Sequence, residues 1–444
     1  MTLVHIQNAA ADLKASGRHS DFHLFETAFG SHVLMVNGSR LFTVADHIAA
    51  ALRDAEDEAR VIAELGLNAP AYVDDAAPFE PSVRSLSLAV AQKCNLACTY
   101  CYAQQGDFGG DPKDMPDDVA DRAVDLLFSQ AKPGERVQLT FLGGEPLTNR
   151  RVLRRSTERA AALAAKTGVE ARFSITTNGT LLTPEDGEFF ERYGFAVTVS
   201  LDGFGAEHDL LRPTKGGQPT FGRVLGRVRP LLASQHHMQV SARVTVTPIN
   251  ISLRETLDKF LELGFHSVGF SPLLSSRAGG EMSARDLNPM LSGMVACGEE
   301  FERRVVRGER YSFLNMTNAM QEIHRGTHRP YPCGAGAGYF GVSAGGDLYA
   351  CHRFVEDPAG LMGDVGSGPD RARQKAWLTD RHVHRQEPCR SCWARYLCGG
   401  GCHHEVIQRG RPACDYIRGW LDYCLGAYMR IRHARPEYFP ACAN

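Results

Sequence analysis

The 444-residue sequence lacks several features that would have placed it in a large class of protein. No stretch reaches the roughly 18 apolar residues of a membrane helix, and the chain does not open on a basic region followed by an apolar run. These absences argue against a membrane-spanning or secreted protein. Lys plus Arg number 49 and Asp plus Glu 51, so no overall basic field attracts nucleic acid. We therefore expect a soluble cytoplasmic enzyme of two to four domains.

Cysteine is absent before Cys94 and frequent near the C-terminus. Of the thirteen cysteines, three form a close group, Cys297 stands alone, and nine fall between Cys333 and Cys442. Clustered cysteines in a chain without a secretory signal indicate metal binding or catalysis rather than disulfides. This distribution predicts a first metal site near residue 94 and a second cysteine-rich module at the C-terminal end.

The first group, Cys94, Cys98 and Cys101, has the spacing C-x3-C-x2-C and directly follows the apolar segment SerLeuSerLeuAlaVal. Three thiolates so close together suit three irons of a [4Fe–4S] cube, because iron prefers soft sulfur ligands. The fourth iron then has no protein ligand and is open to chelate a small molecule. Zinc is the alternative, but it usually takes four ligands in paired C-x2-4-C halves, and this group supplies three.

The segment before the first cysteine predicts a small module. Residues 1–20 look polar and flexible, and residues 70–81 look like a linker. An Asn-Gly pair at 37–38 separates two strand patterns and signals a hairpin. The strand and helix patterns lie at 22–26, 32–36, 40–44, 46–54 and 56–65. We assign 21–80 to a winged-helix-like peptide-recognition module, with a purely structural cap as the alternative.

Residues 84–280 alternate between strand and helix patterns. Helix starts are marked by Thr183-Pro184 and by Ser252 with Glu255, a capping-box pattern. Candidate strands lie at 85–91, 137–142, 171–177, 195–201, 239–247 and 266–271. Six βα units predict the α/β class and an open parallel sheet, a partial (β/α)6 barrel. Its active site is expected at the C-terminal strand ends, where Cys94 falls.

Two stretches follow the predicted barrel. Residues 281–330 form a helical linker, with a helical pattern at 286–308, and residues 331–444 form the cysteine-rich module.

Residues at the predicted strand ends give the barrel a resemblance to the radical S-adenosylmethionine (SAM) enzymes. The second strand ends in PheLeuGlyGlyGluPro, in which Gly143, Gly144 and Glu145 resemble the motif that holds the methionine amino group. Further SAM contacts are implied for Tyr100, Ser200, Arg212 and Leu273. A tight turn, a capped loop and a surface ion pair are the structural alternatives for the glycines, Ser200 and Arg212.

This resemblance implies a chemistry as well as a fold. Cys94, Cys98 and Cys101 hold a [4Fe–4S] cluster that cleaves SAM reductively, and the resulting 5′-deoxyadenosyl radical takes hydrogen from an unactivated C–H bond. An external electron donor of the flavodoxin or ferredoxin type is the implied partner.

The C-terminal spacings resemble those of the SPASM domain, which carries two auxiliary [4Fe–4S] clusters. Cys333, Gly346 and Cys351 give C-x12-G-x4-C, and four later cysteines give C-x2-C-x5-C-x3-C. The four are Cys389, Cys392, Cys398 and Cys402. A zinc ribbon is the alternative for these four, although it leaves the two upstream cysteines unexplained.

The SPASM resemblance also implies how the ligands divide. Cys333, Cys351 and Cys402 belong to the nearer auxiliary cluster, and Cys389, Cys392 and Cys398 to the distant one. A late cysteine completes the distant cluster. Cys424 matches that position best, although it also lies on an apolar helical stripe that suits a buried structural thiol. Cys414 is then surplus, either a fourth ligand of the nearer cluster, a substrate-contacting thiol, or inert.

Both ends of the chain resemble the maturation protein family of quinohemoprotein amine dehydrogenase. The likenesses are AspPheHisLeuPheGlu near the start and CysHisHisGluValIle…GlyArgProAlaCysAspTyrIleArgGlyTrpLeu near the end. The resemblance implies a maturase that joins Cys sulfur to a methylene carbon of Asp or Glu in a small protein subunit, with a leader segment that the N-terminal module binds. A different crosslink, epimerisation, formylglycine formation, or a non-catalytic iron–sulfur or zinc protein are the alternatives.

The sequence does not identify the general base. In anaerobic sulfatase maturases an Asp follows the cysteine of the G-x4-C pattern and acts as base, whereas in this chain His352 follows Cys351. Histidine is also a competent base. The candidates are Asp202 and His352, with Glu207, His403 and His404 as further bases.

Overall fold

The computed structural model describes residues 21–54, 58–68, 80–276 and 279–440, together with 73, 74, 76 and 78. The predicted flexible segment 1–20 and Cys442 lie outside these residues. The chain divides into two compact units. The first holds the described residues before 78, Ser283–Cys333 and the residues from Thr379 onward, and the second holds Pro78–Met282 and Gly334–Leu378. The predicted module 331–444 is therefore shared between the two units.

Most strands lie in the second unit. In chain order, the strands are β1 (Phe22–Thr27), β2 (Gly30–Met35), β3 (Arg40–Val44), β4 (Ser85–Gln92), β5 (Lys113–Asp114), β6 (Arg136–Gly143), β7 (Glu170–Thr177), β8 (Ala196–Ser200), β9 (Gln239–Val246), β10 (Val268–Pro272), β11 (Tyr339–Val342), β12 (Asp347–Tyr349), β13 (Leu361–Asp364) and β14 (Gly368–Pro369).

The helices follow the same order. They are α1 (Asp46–Arg53), α2 (Glu58–Glu64), α3 (Asp117–Phe128), α4 (Arg150–Thr167), α5 (Pro184–Arg192), α6 (Ala206–Leu211), α7 (Phe221–Ser234), α8 (Leu253–Glu262), α9 (Ala284–Val306), α10 (Leu314–His324), α11 (Arg371–Arg381), α12 (Arg395–Cys398), α13 (His403–Arg409) and α14 (Cys414–Ala434). Among the described helices, none is long and apolar enough to cross a membrane.

The second unit is built on one sheet in which six parallel strands follow the order β4, β6, β7, β8, β9, β10. In β4 every residue after Ser85 is buried, as expected of a parallel strand that is covered on both faces. The prediction of an open parallel sheet is thereby confirmed, with strand bounds close to those read from the sequence. All six strands bring their carboxyl ends to the same edge.

The sheet continues beyond β4 with strands from the C-terminal part of the chain. β11 pairs in parallel with β4, placing Phe340 opposite Leu86, and β12, β13 and β14 extend it in antiparallel fashion. This extension places the segment that contains Cys351 beside the strand that leads into the first cysteine group.

Of the two N-terminal caps predicted for helices of the second unit, one is present in the structure and one is not. Thr183 caps α5 in a capping box with Asp186, as predicted for the Thr183-Pro184 pair. The prediction for Ser252 is wrong, because its side chain makes no capping hydrogen bond to α8. Glu255 bonds Lys259 one turn along the helix instead, at 2.5 Å.

In the first unit, β1, β2 and β3 form an antiparallel meander that packs on α1 and α2. Its core contains Phe22, Val33, Met35, Leu52 and Ile62. The predicted hairpin between β2 and β3 is confirmed, although its connection is four residues long rather than two.

The meander also contacts C-terminal residues of its own unit. The His23 ring stacks on Trp393 with centroids 3.7 Å apart, and His23 Nε2 lies 2.7 Å from Asp422 Oδ1 on α14. The predicted recognition module and the end of the chain are thus parts of one packed body.

Candidate active site

The cysteine loop, residues 93–102, leaves the carboxyl end of β4 and is held by backbone hydrogen bonds. The amide of Ala97 donates to the carbonyl oxygen of Pro213, just beyond α6, at 2.9 Å. Within the loop, the amide of Leu96 donates to Cys94 Sγ at 3.4 Å. The backbone therefore fixes the shape of the loop and orients one of its thiols.

The three thiols of this loop lie near enough to affect one another's ionisation. Burial raises the pKa of Cys98 to about 12; Arg212 opposes this increase, and the Cys101 and Cys94 thiols add to it. Burial also raises the pKa of Cys94. Thiols of this kind ionise when cationic iron replaces their protons.

The cysteine loop offers three soft sulfur donors, which suit the irons of a [4Fe–4S] cube. Within the described part of the chain, no three His, Cys, Asp or Glu side chains converge on one ion position. In a [4Fe–4S] cube each thiolate binds its own iron, so the sulfurs do not have to share one point. The donor set of Cys94, Cys98 and Cys101 therefore fits a cube better than zinc.

The glycine pair after β6 packs against the start of the cysteine loop. A Cβ at Gly143 would lie 2.2 Å from the oxygen of Ala91, and one at Gly144 would lie 2.3 Å from the oxygen of Lys93. The amides of Gly144 and Glu145 donate to these same two oxygens, each at 2.9 Å. The glycines thus let two backbones meet, while their predicted contact with SAM stays a prediction.

Glu145 is fully buried and surrounded by donors. Its carboxylate accepts hydrogen bonds from the Leu147 amide at 3.0 Å, the Thr177 hydroxyl at 2.8 Å and the Asn178 amide at 2.8 Å. Burial raises the pKa of Glu145, and these three hydrogen bonds act in the opposite direction. Since a carboxylate has about four acceptor positions, one position is left for a further donor such as an ammonium group.

Asp202, Tyr100 and Arg212 form a buried polar cluster beyond β8. Arg212 Nη1 lies 3.2 Å from Asp202 Oδ2 and 2.5 Å from the Tyr100 hydroxyl, which itself donates to Asp202. The other Asp202 oxygen accepts the amide of Thr245 at 2.6 Å. Because Asp202 is 0% exposed and its carboxylate is occupied by these donors, it is poorly placed to take a proton from a substrate.

Arg212 retains one free donor. Nothing in the described part of the chain accepts a hydrogen bond from its Nε atom, although the atom is buried. The guanidinium acts electrostatically on Cys98 and on Glu145. A buried, unpaired cationic donor beside these groups fits the carboxylate of a bound amino acid, the group that SAM would bring.

The other predicted SAM contacts lie at the same edge of the sheet. Ser200 ends β8 opposite Arg243, and Leu273 directly follows β10, where its amide donates to the oxygen of Val246 at 2.8 Å. Leu273 is buried, at 6% exposure. Both positions agree with the predicted strand order, and their contacts with SAM stay predictions.

A cleft of about 570 Å³ opens beside the cysteine loop. It is lined by Cys98, Cys101, Gln104, Gln105, Asp107, Gly109 and Gly110. The sequence does not single out 104–110, because the left-handed backbone at Gln104, Gln105 and Phe108 follows no residue signal. Non-glycine residues in that conformation are typical of functional loops.

His352 lies at the end of the sheet extension with two tyrosines. Its Nδ1 atom is 2.7 Å from the Tyr339 hydroxyl, and its ring centroid is 5.8 Å from that of Tyr102 in an edge-to-face arrangement. Burial raises the pKa of Tyr339 and of Tyr102, so both hydroxyls stay protonated. Cys101 and Cys351 both act electrostatically on Tyr102, which places the tyrosine between the two predicted cluster regions.

In the first unit, four cysteines gather into a second candidate metal centre. Cys389 is affected electrostatically by the thiols of Cys398, Cys414 and Cys392, and burial raises its pKa to about 12. Arg411 opposes that increase. The Cys414 pKa is likewise raised, first by burial and also by Cys392.

Cys414 is the late cysteine whose thiol acts electrostatically on Cys389. Cys424 is 0% exposed within α14. The groups that act on its ionisation are Glu302, Asp422 and Arg430, with none of the four grouped cysteines among them. The spacing match favours Cys424 as the late ligand, and that assignment stays a prediction. Its burial within α14 also suits the structural thiol that its apolar stripe suggests.

The cysteines predicted to hold the nearer auxiliary cluster are divided between the two units. Cys351 is buried after β12 in the second unit, whereas Cys333 and Cys402 belong to the first unit. Their joint role as ligands of one cluster stays a prediction.

Two further candidate bases can be placed. Burial lowers the pKa of His403 to about 4, which keeps the ring neutral. Glu207 accepts the amide of Phe204 at 3.4 Å and so closes a local turn.

The sequence of this chain matches known proteins over most of its length. Residues 88–258 match the Radical SAM superfamily. The chain is 27% identical over 391 residues to a serine-type anaerobic sulfatase-maturating enzyme of Bacteroides thetaiotaomicron, covering 81% of this chain and 91% of the relative. A serine-type anaerobic sulfatase-maturating enzyme of Klebsiella aerogenes is 27% identical over 349 residues, 75% of this chain and 83% of the relative.

Solved structures give the same fold. Native anSMEcpe with bound AdoMet superposes with a TM-score of 0.64 at 22% identity, covering 79% of this chain and 99% of that one. Streptococcus suis SuiB bound to the precursor peptide SuiA gives a TM-score of 0.53 at 15% identity, over 88% of this chain and 96% of that one. At these sequence identities, the structural likeness shows a shared fold and nothing about the reaction.

Proposed function

We propose that this protein is a radical SAM maturase that oxidises a side chain of a peptide or protein, because residues 88–258 match the Radical SAM superfamily. The observation that carries the proposal is the grouping of Cys94, Cys98 and Cys101 next to the buried carboxylate of Glu145 and the free donor of Arg212. That arrangement offers iron ligands, an acceptor for an ammonium and a partner for a carboxylate, all within residues that follow the carboxyl ends of parallel strands.

SAM and the [4Fe–4S] cluster, when bound, supply a carbon-centred radical that takes one hydrogen atom from the substrate. The residues of this chain hold and orient those groups. Glu145 accepts the methionine ammonium and Arg212 pairs with the carboxylate, while Asp202 and Tyr100 fix the guanidinium of Arg212. The buried setting strengthens each of these contacts and keeps water from the reacting carbon.

Formylglycine formation from Ser or Cys is the reaction that the comparisons favour, because the relatives named above are sulfatase-maturating enzymes. Converting a CH2–OH group to an aldehyde removes one hydrogen atom, one proton and one electron. The hydrogen atom goes to the radical, the proton needs a base, and the electron needs an acceptor such as the predicted auxiliary clusters.

We assign the base to His352 rather than to Asp202. We assign the tautomer in which Nδ1–H donates to the Tyr339 oxygen at 2.7 Å, because Nε2 then carries the lone pair that takes the substrate proton. Asp202 is buried and already accepts three hydrogen bonds. Replacing His352 by Asn keeps a polar group but removes the titrating nitrogen, so turnover should fall by about 100-fold or more while SAM binding is retained.

Thioether formation is the second candidate, supported by the resemblance at both ends of the chain and by His352 in the place of the Asp of the sulfatase maturases. In this reaction a thiol loses a proton, a methylene carbon loses a hydrogen atom, and the C–S bond forms as one electron leaves. The clusters that the four-cysteine group and the predicted ligands Cys333, Cys351 and Cys402 would hold could accept that electron.

The N-terminal module supports a peptide or protein substrate in either case. β3 is an edge strand, since among the described residues it pairs only with β2. An exposed edge can bind an extended segment by adding it as a further strand. We propose that a leader segment of the substrate docks there.

Oxidation of Ser and formation of a thioether both remove two hydrogens, so mass alone does not separate them. The enzyme should be incubated with SAM, dithionite and substrates that pair a single Cys with either Ser or Asp. Formylglycine reacts with a hydrazide probe, and it leaves the Cys open to alkylation when Ser is the residue oxidised but not when Cys is. A thioether blocks alkylation and gives no hydrazone. A product with no change in mass would contradict both reactions.

A further inference from the structure

The side chain of Asn178, in the ThrThrAsnGly run that ends β7, uses its full hydrogen-bonding capacity inside the candidate active site. Its Oδ1 atom accepts both the amide of Thr180 at 2.9 Å and the Thr180 hydroxyl at 2.6 Å. Its Nδ2 group donates to Asn95 Oδ1 at 3.0 Å and to Cys94 Sγ at 3.7 Å. Asn178 is 5% exposed.

The orientation of this amide is fixed by its partners. The backbone amide of Thr180 is a donor only, so the Asn178 atom facing it must be the oxygen. The nitrogen therefore faces Asn95 and the Cys94 sulfur. Asn95 is held in turn, because its own Nδ2 donates to the Thr180 hydroxyl at 2.8 Å.

The backbone of the same residue contacts the other half of the site. The Asn178 amide donates to Glu145 Oε2 at 2.8 Å. The side chain of Asn178 thus contacts Cys94, a proposed iron ligand. Its backbone amide contacts Glu145, the carboxylate proposed to bind SAM. The Cys94 sulfur receives a second N–H group from Leu96, at 3.4 Å.

We infer that Asn178 is a positioning residue that sets the reduction potential of the SAM-binding cluster, an inference that rests on the function proposed above. Reduction places additional negative charge on the cluster and its thiolate ligands. An N–H group aimed at the Cys94 sulfur stabilises that charge and so favours the reduced state. The electron that starts the reaction is therefore supplied at a potential that Asn178 helps to fix.

Replacing Asn178 by Ala removes the donor but keeps the backbone bond to Glu145. In the anaerobically reconstituted full-length protein, we expect the midpoint potential of the SAM-responsive cluster signal in electron paramagnetic resonance to become more negative. A tenfold change in the reduction equilibrium corresponds to 59 mV for one electron, and we expect a shift of about that size. SAM affinity should stay within about threefold of the wild-type value, because Glu145 is still held.

Two further variants make the test decisive. Asn178→Asp keeps the shape and the acceptor for Thr180, removes the donor and adds negative charge, so it should shift the potential further in the same direction. Thr180→Ser keeps both bonds to Asn178 Oδ1 and should leave the potential unchanged.

The outcomes separate the inference from the proposed function. A wild-type protein without a SAM-responsive cluster signal would contradict the function. Wild-type signals with an unchanged potential in both Asn178 variants would overturn the inference alone. Loss of iron from both variants would overturn it as well, because Asn178 would then hold the cluster in place rather than set its potential.

Discussion

At the scale of single residues, the site depends on buried polar groups with defined partners. Glu145 has three donors and Asp202 three, so neither carboxylate is available as a free base in the pocket. A buried carboxylate that loses a hydrogen-bond partner destabilises the folded protein, so each of these residues depends on its donors to keep its position.

Replacing Glu145 by Gln should weaken SAM binding by about 10- to 100-fold, because a hydrogen bond to a charged group contributes roughly 1.5–3 kcal/mol. The dissociation constant of SAM for the reconstituted protein, measured by calorimetry, checks this expectation. Glu185→Gln, on the surface at the start of α5, is a matched control that should bind SAM normally. Equal affinity in both variants would show that Glu145 does not contact the ammonium.

The four-cysteine group gives a second prediction at this scale. Cys414→Ala should lower the iron content by about four per chain, since it removes a ligand of one [4Fe–4S] cluster. Cys424→Ala should keep the iron content, because that thiol lies apart from Cys389 and its neighbours. Iron analysis with Mössbauer spectroscopy distinguishes the two, and the reverse result would restore Cys424 as the ligand.

At the scale of elements, the strands that build the site were predictable from the sequence. β4 is a mostly apolar run, whereas β6 and β7 alternate apolar with polar residues, and both patterns predict strands with bounds close to those observed. The spacing of Cys94, Cys98 and Cys101 at the end of β4 likewise predicts where the site lies.

Contacts that depend on distant residues were not predictable in the same way. No local pattern shows that Asn178 meets Cys94 across 84 positions, or that β11 adds to β4. Spacing likewise does not show that Cys414 lies near Cys389, because a sequence does not record which face of α14 meets the other cysteines. The capping box predicted at Ser252 does not form: the Ser252 side chain accepts no capping hydrogen bond, and the Glu255 side chain bonds Lys259.

The contact between the glycine turn and the cysteine loop is testable at this scale. Gly144→Ala places a Cβ within 2.3 Å of the Lys93 oxygen and 2.6 Å of Gly106 Cα. The backbone atoms of Lys93 and Gly106 would have to move away from the added Cβ. We therefore expect the unfolding free energy to fall by about 1–3 kcal/mol and the first cluster to be lost. Gly226→Ala, in α7 with no atom within 4 Å of the added group, should instead be neutral or stabilising. Full iron loading of Gly144→Ala would contradict the packing role.

At the scale of the whole molecule, the stability of the apo protein should depend on pH through buried histidines. Burial lowers the pKa of His208 to about 3, and that of His328 and His403 to about 4. Below about pH 6.5 the unfolded chain binds protons that these folded side chains do not. Stability is therefore full above pH 6.5 and falls as the pH drops toward 4, by about 1.4 kcal/mol per pH unit for each of the buried His208 and His403 and by less for the half-buried His328.

Denaturant unfolding at pH 7 and pH 5 measures this dependence. His208→Asn should reduce the loss between the two pH values by about 2 kcal/mol, since one group no longer takes up a proton on unfolding. The exposed His47→Asn should leave the loss unchanged. An unchanged pH dependence in His208→Asn would show that His208 is charged in the folded protein.

The most direct test of the proposed function is anaerobic SAM cleavage. The reconstituted wild-type protein, given SAM and dithionite, should release 5′-deoxyadenosine, and its iron content should be about twelve per chain if all three predicted clusters form. The triple variant of Cys94, Cys98 and Cys101 to Ala should release none, whereas Cys297→Ala, buried in α9, should behave as the wild type. Deoxyadenosine from the triple variant, or none from a wild-type protein with full iron content, would contradict the assignment of these three cysteines.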